Sequence, residues 1–321
     1  MTWTKDVAPI IQRRCRACHS VGGAAASSDL STYEAAKVQA RAIRQEVLDG
    51  RMPPWPAAKG LGDFTNDASL SPIEIELLTA WADGDAPLGP VDAAHLVVES
   101  PVVAPDLVIQ VPGLPIGRAR TARLEVAAGN RASRLISGWG FRTGDASLVD
   151  RVVLSVVGGG QIGSWVPGDA PVRLPPAVAQ RLPSGATLAI ELYFRKSSAT
   201  EMPASTLELS FREAAGRRLR HRSLGCGASS IGDHIEALAI TPMAAAAGDS
   251  IEIVAQHPGG RIEPLVVIPQ FDPAYPVTYR FRKPVPLSGG TTIRVRGASP
   301  GCNAELEFSV RASGRLGGPP Q

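Results

Sequence analysis

Cys15-Arg16-Ala17-Cys18-His19 is the stretch of this sequence best equipped to do chemistry. Its two thiols lie about one helical turn apart, and an imidazole follows directly. Thiols so placed can add across the two vinyl groups of a porphyrin, and the adjacent imidazole then lies under the iron as proximal ligand. Two other chemistries use a Cys-x-x-Cys pair. Half a zinc site needs two more ligands at matching spacing, and no second Cys or His pair occurs in residues 1–90. A thiol–disulfide exchange site needs a βαβ setting, whereas the flanks here repeat with helical period. One covalent haem c, attached at Cys15 and Cys18 with His19 on the iron, fits the spacing best.

An iron held by one imidazole has a second axial position to fill. Gly50-Arg51-Met52-Pro53-Pro54-Trp55 offers a thioether followed by two prolines. Proline cannot continue a helix, so Met52 would ride on a stiff loop. Met1, Met202 and Met243 lie on no such loop. Core filling is the other common use of a methionine. Read as the distal iron ligand, Met52 completes a His/Met pair, which raises the potential and suits electron transfer rather than oxygen binding.

The elements that must carry these residues read as helical over residues 1–90. Val7, Ile10, Ile11 and Arg14 share one helical face that leads into Cys15. Ser31 and Glu34 read as a capping box, with Ala36, Ala40, Ile43 and Val47 following at helical spacing until Gly50. Ser71, Pro72 and Glu74 give a second start signal, Leu77, Leu78 and Trp81 an apolar face, and Gly84 a stop. Beyond Pro105 the pattern changes to strands of four to eight residues. Turns at Gly129-Asn130, Pro167-Gly168-Asp169, Pro258-Gly259-Gly260 and Ser288-Gly289-Gly290 separate them. The run Arg217–Arg222 reads as a solvated segment between two sets of strands.

Composition narrows the function classes. The chain has 321 residues, with 33 basic and 30 acidic side chains for a net charge of +3, which argues against a dedicated nucleic-acid binder. No run of 18 apolar residues exists, so no transmembrane helix is expected. The Met1–Trp3 start shows no signal peptide. Covalent haem attachment nevertheless implies maturation outside the cytoplasm, and a periplasmic or exported location is expected.

Several segments then resemble a known family. VAPIIQRRCRACH, GRMPPWPA and LSPIEIELLTAWADGDAP resemble the cytochrome c module that bacteria fuse ahead of a copper type II, ascorbate-dependent monooxygenase-like region. That region is similar to the peptidylglycine and dopamine β-monooxygenases. AAGNRASRLISGWGFR, GSWVPGDAPVRLP, LPSGATLAIELYFR and IEPLVVIPQFDPAYPVTYRFRKPVPLSGGTTIRV fall in the order such a region would have. The resemblance implies two tandem jelly-roll-like sandwiches. It does not carry over the copper ligands. Arg134-Leu135-Ile136 stands where the family has a histidine pair, Ile190-Glu191-Leu192-Tyr193 where it has a histidine, and Ile240-Thr241-Pro242-Met243 where it has His-x-His. With His19 assigned to haem, only His95, His221, His234 and His257 remain, each alone in sequence. Copper cycling needs converging imidazole and thioether ligands, so copper is not expected.

The expected fold class is therefore multidomain: an all-α class I-like cytochrome c domain followed by two tandem antiparallel β-sandwich (jelly-roll-like) domains. The boundaries are 1–90 for the haem domain, 91–105 for a linker, 106–215 and 216–313 for the sandwiches, and 314–321 for a tail. In an oxidising compartment Cys226 and Cys302 are expected to bridge the second sandwich. The expected function is one-electron transfer to and from redox partner proteins, with the sandwiches as a binding or docking scaffold and no catalytic residues of their own. Two other readings stay open, a monooxygenase-like enzyme fed by the haem and an accessory subunit docked on a larger redox complex.

Overall fold

Helical periodicity in residues 1–90 is realised in short pieces. The computed structural model describes residues 1–90, 104–197, 199–243, 246–273, 275–298 and 301–310. Residues 91–103 of the expected linker, His95 among them, and the expected tail 314–321 lie outside the described residues. A π-helical turn at Trp3–Val7 leads into α1 (Ala8–Arg14), followed by α2 (Tyr33–Val38), α3 (Ala40–Leu48) and α4 (Pro72–Asp83). Thr32, not Ser31, caps α2, its hydroxyl accepting from the Ala35 amide at 3.3 Å. The expected single helix breaks at Gln39, whose side-chain amide donates to the Asp29 and Ala35 carbonyls at 2.9 and 3.3 Å. The capping box at Ser71 and Glu74 forms in full. Val7, Ile10, Ile11, Leu78 and Trp81 bury the inner faces of these helices in one small core, with the Trp3 ring tilted against that of Trp81 at 5.7 Å between centres.

The strands follow from alternation. β3 reads exposed and half-buried by turns, while β5 and β11 bury every second residue through most of their length. In chain order the strands are β1 (Leu107–Val111), β2 (Leu114–Pro115), β3 (Thr121–Ala127), β4 (Arg134–Arg142), β5 (Val149–Val156), β6 (Gln161–Trp165), β7 (Val172–Arg173), β8 (Val178–Leu182), β9 (Thr187–Phe194) and β10 (Glu201–Met202). They continue with β11 (Ser205–Arg212), β12 (Arg217–Gly225), β13 (Gly227–Ser230), β14 (Ile235–Met243), β15 (Ile251–Gln256), β16 (Ile262–Ile268), β17 (Tyr279–Leu287), β18 (Thr292–Gly297) and β19 (Asn303–Val310). One nine-stranded sheet runs β1-β11-β4-β8-β12-β19-β14-β17, with β7 beside β4. A four-stranded sheet, β3-β9-β5-β6, closes one core against its first half, and another, β13-β18-β15-β16, closes a second core against the other half.

This architecture corrects the expected fold class. The chain is predominantly β, with nineteen strands among the described residues, and no all-α cytochrome domain stands apart from them. The stretch between α3 and α4 is irregular because Pro53, Pro54, Pro56, Gly60 and Gly62 break any helix. It attaches to the second core instead. The Ala58 amide donates to the Val267 carbonyl at 2.7 Å, Thr65 to Arg280 at 2.8 Å and Arg282 to Asp63 at 2.8 Å, around a Phe64–Phe281 bridge. The sandwiches are not separate either. β12 pairs in parallel with β8 and antiparallel with β19, so a single sheet passes through both. The arginine-rich run expected to be a solvated connector is this seam strand, with Leu219 buried in the first core, Leu224 in the second, and Arg218, Arg220 and Arg222 exposed. A bulge in β14 between Ala237 and Ala239 frees Leu238, which joins the core of the first sandwich. No helix among the described residues is long and apolar enough to cross a membrane.

Phe64 fastens the helical segment to the second core, lying 5.3 Å from Tyr279, 5.7 Å from Phe281 and 5.9 Å from Trp55 between ring centres. Phe64→Ala should cost about 3 kcal/mol in a urea titration and open residues 56–70 to protease. Unchanged protection there would mean that the segment is held elsewhere.

Candidate haem-binding site

The last turn of α1 brings the sequence motif into one place. The Cys15 amide donates to the Ile11 carbonyl at 2.9 Å, and the Cys18 and His19 amides both turn back to the Cys15 carbonyl at 3.1 and 2.9 Å. The loop that follows folds over the motif, with Ala25 donating to the Cys18 carbonyl and Leu30 to the His19 carbonyl, each at 3.0 Å. Gly23 permits that close pass, since a Cβ there would overlap the Cys18 carbonyl.

The imidazole is oriented by the same loop. His19 Nδ1 lies 2.8 Å from the Ser28 carbonyl oxygen. A carbonyl can only accept, so Nδ1 carries the proton and Nε2 keeps its lone pair. Both motif cysteines are free and half-buried. Burial pushes the Cys15 thiol up to about 12 and raises Cys18 as well, so both are neutral thiols near pH 7.

Met52 arrives from the other side. Gly50 ends α3 with a left-handed φ of +68°, and the Arg51 and Met52 amides both donate to the Glu46 carbonyl at 2.9 and 3.2 Å. The Arg51 guanidinium bonds both Glu46 oxygens at 2.7 and 2.9 Å and lies 2.6 Å from Asp49. The loop that offers the thioether is thereby tied to the helix before it.

Cys15, Cys18, His19 and Met52 line a single cavity of about 420 Å³, with Leu30, Ile43 and Val47 among its apolar walls. That volume lies within the usual range for cofactor pockets. Two unbridged thiols, an imidazole with its Nε2 free and a thioether on one apolar cavity match the donor set of a covalently attached haem. Two contributors come from the sheets and were not foreseen. Tyr275, between β16 and β17, lines the cavity, and the Cys18 thiol points at the Pro167 carbonyl at 3.8 Å. The Pro167-Gly168-Asp169 turn is visible in the sequence, but its partner is not. Ser28 acts through its backbone, which leaves no side-chain signal to find.

Asp169, in that same turn, is half-buried, and one of its carboxylate oxygens accepts from the Val166 amide at 3.0 Å. Burial pushes its pKa up to about 6, Arg280 opposing the rise and Glu307 adding to it. The other named residues lie apart. Cys226 and Cys302 form a disulfide with Cα atoms 5.1 Å apart, linking the β12–β13 junction to the start of β19. His221 Nδ1 lies 2.8 Å from Glu305, His257 Nε2 lies 2.7 Å from Glu263, and His234 is exposed. Among the described residues no group of three or more His, Cys, Asp or Glu side chains is placed to hold a metal ion.

No family model and no curated protein matches the chain. Among solved structures, the major capsid protein P2 from bacteriophage PM2 aligns at 11% identity over 64% of this chain and 98% of its own, with a TM-score of 0.33. A223, a turret protein in Sulfolobus turreted icosahedral virus, aligns at 10% identity over 64% of this chain and 100% of its own, at 0.19. Vicilin from Capsicum annuum aligns at 9% identity over 60% of this chain and 76% of its own, also at 0.19. Overlaps this loose carry nothing over to the present chain.

The Asp169 carboxyl sets a pH dependence. Its folded pKa of about 6 lies above the ordinary 3.8, so its stabilising contribution is complete below pH 3.8 and is lost as pH rises through 6. Asp169→Asn should therefore gain about 1–2 kcal/mol over wild type at pH 7.5 and nothing at pH 4, after allowance for solvent screening. Paired urea titrations at the two pH values check this; an equal effect at both would remove Asp169 as the cause.

Proposed function

We propose that this protein is a monohaem c-type cytochrome that moves one electron at a time between redox partner proteins. The observation that carries the reading is the shared cavity, on which Cys15, Cys18, His19 and Met52 converge although His19 and Met52 are 33 positions apart in sequence. Cys15 and Cys18 would tether the haem, His19 Nε2 and the Met52 thioether would take its two axial positions, and the apolar wall of Leu30, Ile43 and Val47 would keep water away. A haem so held supplies one-electron chemistry with both axial positions filled. The chain's own task is to hold that geometry in either oxidation state. The Ser28 bond fixes the imidazole, and the Arg51–Glu46 pair fixes the loop bearing the thioether.

In this reading the sheets are a docking scaffold derived from a monooxygenase-like ancestor, with no copper site. The disulfide between Cys226 and Cys302 supports a periplasmic or exported location, since such bonds persist in oxidising compartments.

The test is spectroscopic. His19→Ala should lose the low-spin haem spectrum, and a folded variant with that spectrum intact would refute the assignment. Met52→Ala should keep covalent haem but lose the near-infrared sulfur-to-iron band and drop in potential, whereas persistence of the band would assign the sixth position to another sulfur. Metal analysis of the wild-type protein should find one iron per chain and no stoichiometric copper.

A further inference from the structure

Beside the haem cavity lies a second cavity of about 330 Å³, and Arg14, Cys18, Pro53, Pro54 and Tyr275 belong to the walls of both. Anything held in the second cavity is thus separated from the first by a single layer of side chains, with Cys18 in it. Two kinds of surface line this space. Trp55, Tyr275 and Pro167 are flat and apolar. Most of the polar groups are already committed. Arg14 bonds Glu74 at 3.2 Å and the Asp67 carbonyl at 3.1 Å, and Arg195 bonds Asp150 at 3.1 Å while lying 5.8 Å over the Tyr275 ring. Asn66 spends both ends of its amide on β17 and the residue before it, donating to the Thr278 carbonyl at 2.7 Å and accepting from the Arg280 amide at 3.0 Å.

Asp169 is the exception. One of its oxygens accepts from Val166, and the other has no hydrogen-bond partner among the described residues. The nearby Arg280 guanidinium is turned to Glu307 at 3.0 Å instead. Asp169 also borders a third cavity, of about 490 Å³, whose walls include Arg280, Arg282 and Glu307. A carboxylate between two cavities, one adjoining the haem cavity and one lined by charge, can take a proton from the first side and release it on the second.

We propose that the 330 Å³ cavity binds a small electron donor of the hydroquinone class, its ring against Trp55 and Tyr275 and one hydroxyl on Asp169. The inference rests on the haem reading above and names the donor for it. In the step, the donor's O–H bond would break, its proton passing to the Asp169 carboxylate and one electron to the ferric haem that Cys15, Cys18, His19 and Met52 would hold. A neutral aryloxyl radical remains. A second such step, after Asp169 has released its proton on the side of the third cavity and a one-electron acceptor protein has reoxidised the haem, yields the quinone. Neither a proton nor an electron is left over. Tyr275 and Trp55 position the ring and undergo no redox change.

The experiment uses the full-length holoprotein. Absence of a c-type haem spectrum overturns the haem reading itself, before the donor is tested. With haem present, two measurements follow. Calorimetry with p-cresol, a phenol serving as a binding probe without electron transfer, should show binding at one equivalent that Asp169→Asn weakens at least about tenfold. Stopped-flow reduction of the ferric haem by methylhydroquinone should saturate with donor concentration. Its limiting rate should rise about tenfold from pH 5 to pH 7 as Asp169 ionises near 6. The groups facing Asp169 are Arg280 and Glu307 from the sheet, Arg195 and Asp150 across the cavity, and Arg13, Arg14, Cys18 and Asp67 from the helical segment. In Asp169→Asn the pH rise should vanish, and the rate relative to reduction by hexaammineruthenium(II), which transfers no proton, should fall at least about tenfold. A rate that grows linearly without saturation, or an Asn variant equal to wild type in p-cresol affinity and relative rate, overturns the proposal.

Discussion

The hydrogen bond between His19 Nδ1 and the Ser28 carbonyl is the constraint from which the site follows. A neutral imidazole has one proton and one lone pair, and fixing the proton on Nδ1 commits the lone pair to Nε2. Making that bond requires the loop from Ser20 to Leu30 to close over the motif, which it does through amides returned to the Cys18 and His19 carbonyls. Once closed, the loop supplies Leu30 to the cavity and ends at the cap of α2. From there the chain runs through α3 to Gly50, whose left-handed turn starts the Met52 loop. The two proposed iron ligands are thus linked by a continuous series of backbone bonds and caps rather than by direct contact.

The sheets complete what the helices leave open. Four short helices bury one modest core, and the segment between α3 and α4 has no helix of its own to complete it. Trp55 and Phe64 therefore pack on Tyr279 and Phe281 in the second sandwich, while Cys18 meets the Pro167 turn of the first. Both contacts require the sandwiches to stand in a fixed relation, and the continuous sheet through β8 and β12 supplies it. If the proposed haem is held there, a fixed relation of this kind would reduce the reorganisation that each electron transfer requires.

What could be read from the sequence was local. Adjacent thiols and imidazole, a methionine before two prolines, the Ser71 capping box and the strand-and-turn pattern beyond Pro105 all announce themselves through spacing or alternation within a few residues. What escaped was the long-range pairing. Arg217–Arg222 looks solvated because four of its six residues are arginines, yet Leu219 is buried in the first core and Leu224, just beyond the run, in the second, which makes it a seam strand. Phe64 and Phe281 are 217 residues apart, and nothing near either names the other. The all-α domain was expected for the same reason: helical signals in the first 90 residues are strong, and the aromatic anchors that tie their connecting segment to the sheets carry no periodicity.

One covalent haem at Cys15 and Cys18, with iron between His19 and Met52, is the central proposal. The direct measurement is intact-mass spectrometry of the protein matured in a host that attaches haem to exported chains, combined with iron analysis of the same sample. One haem bound covalently and one iron per chain is the predicted result, with both lost when Cys15 and Cys18 are replaced by alanine. A protein that matures without haem, or that binds zinc at the two thiols instead, contradicts the account.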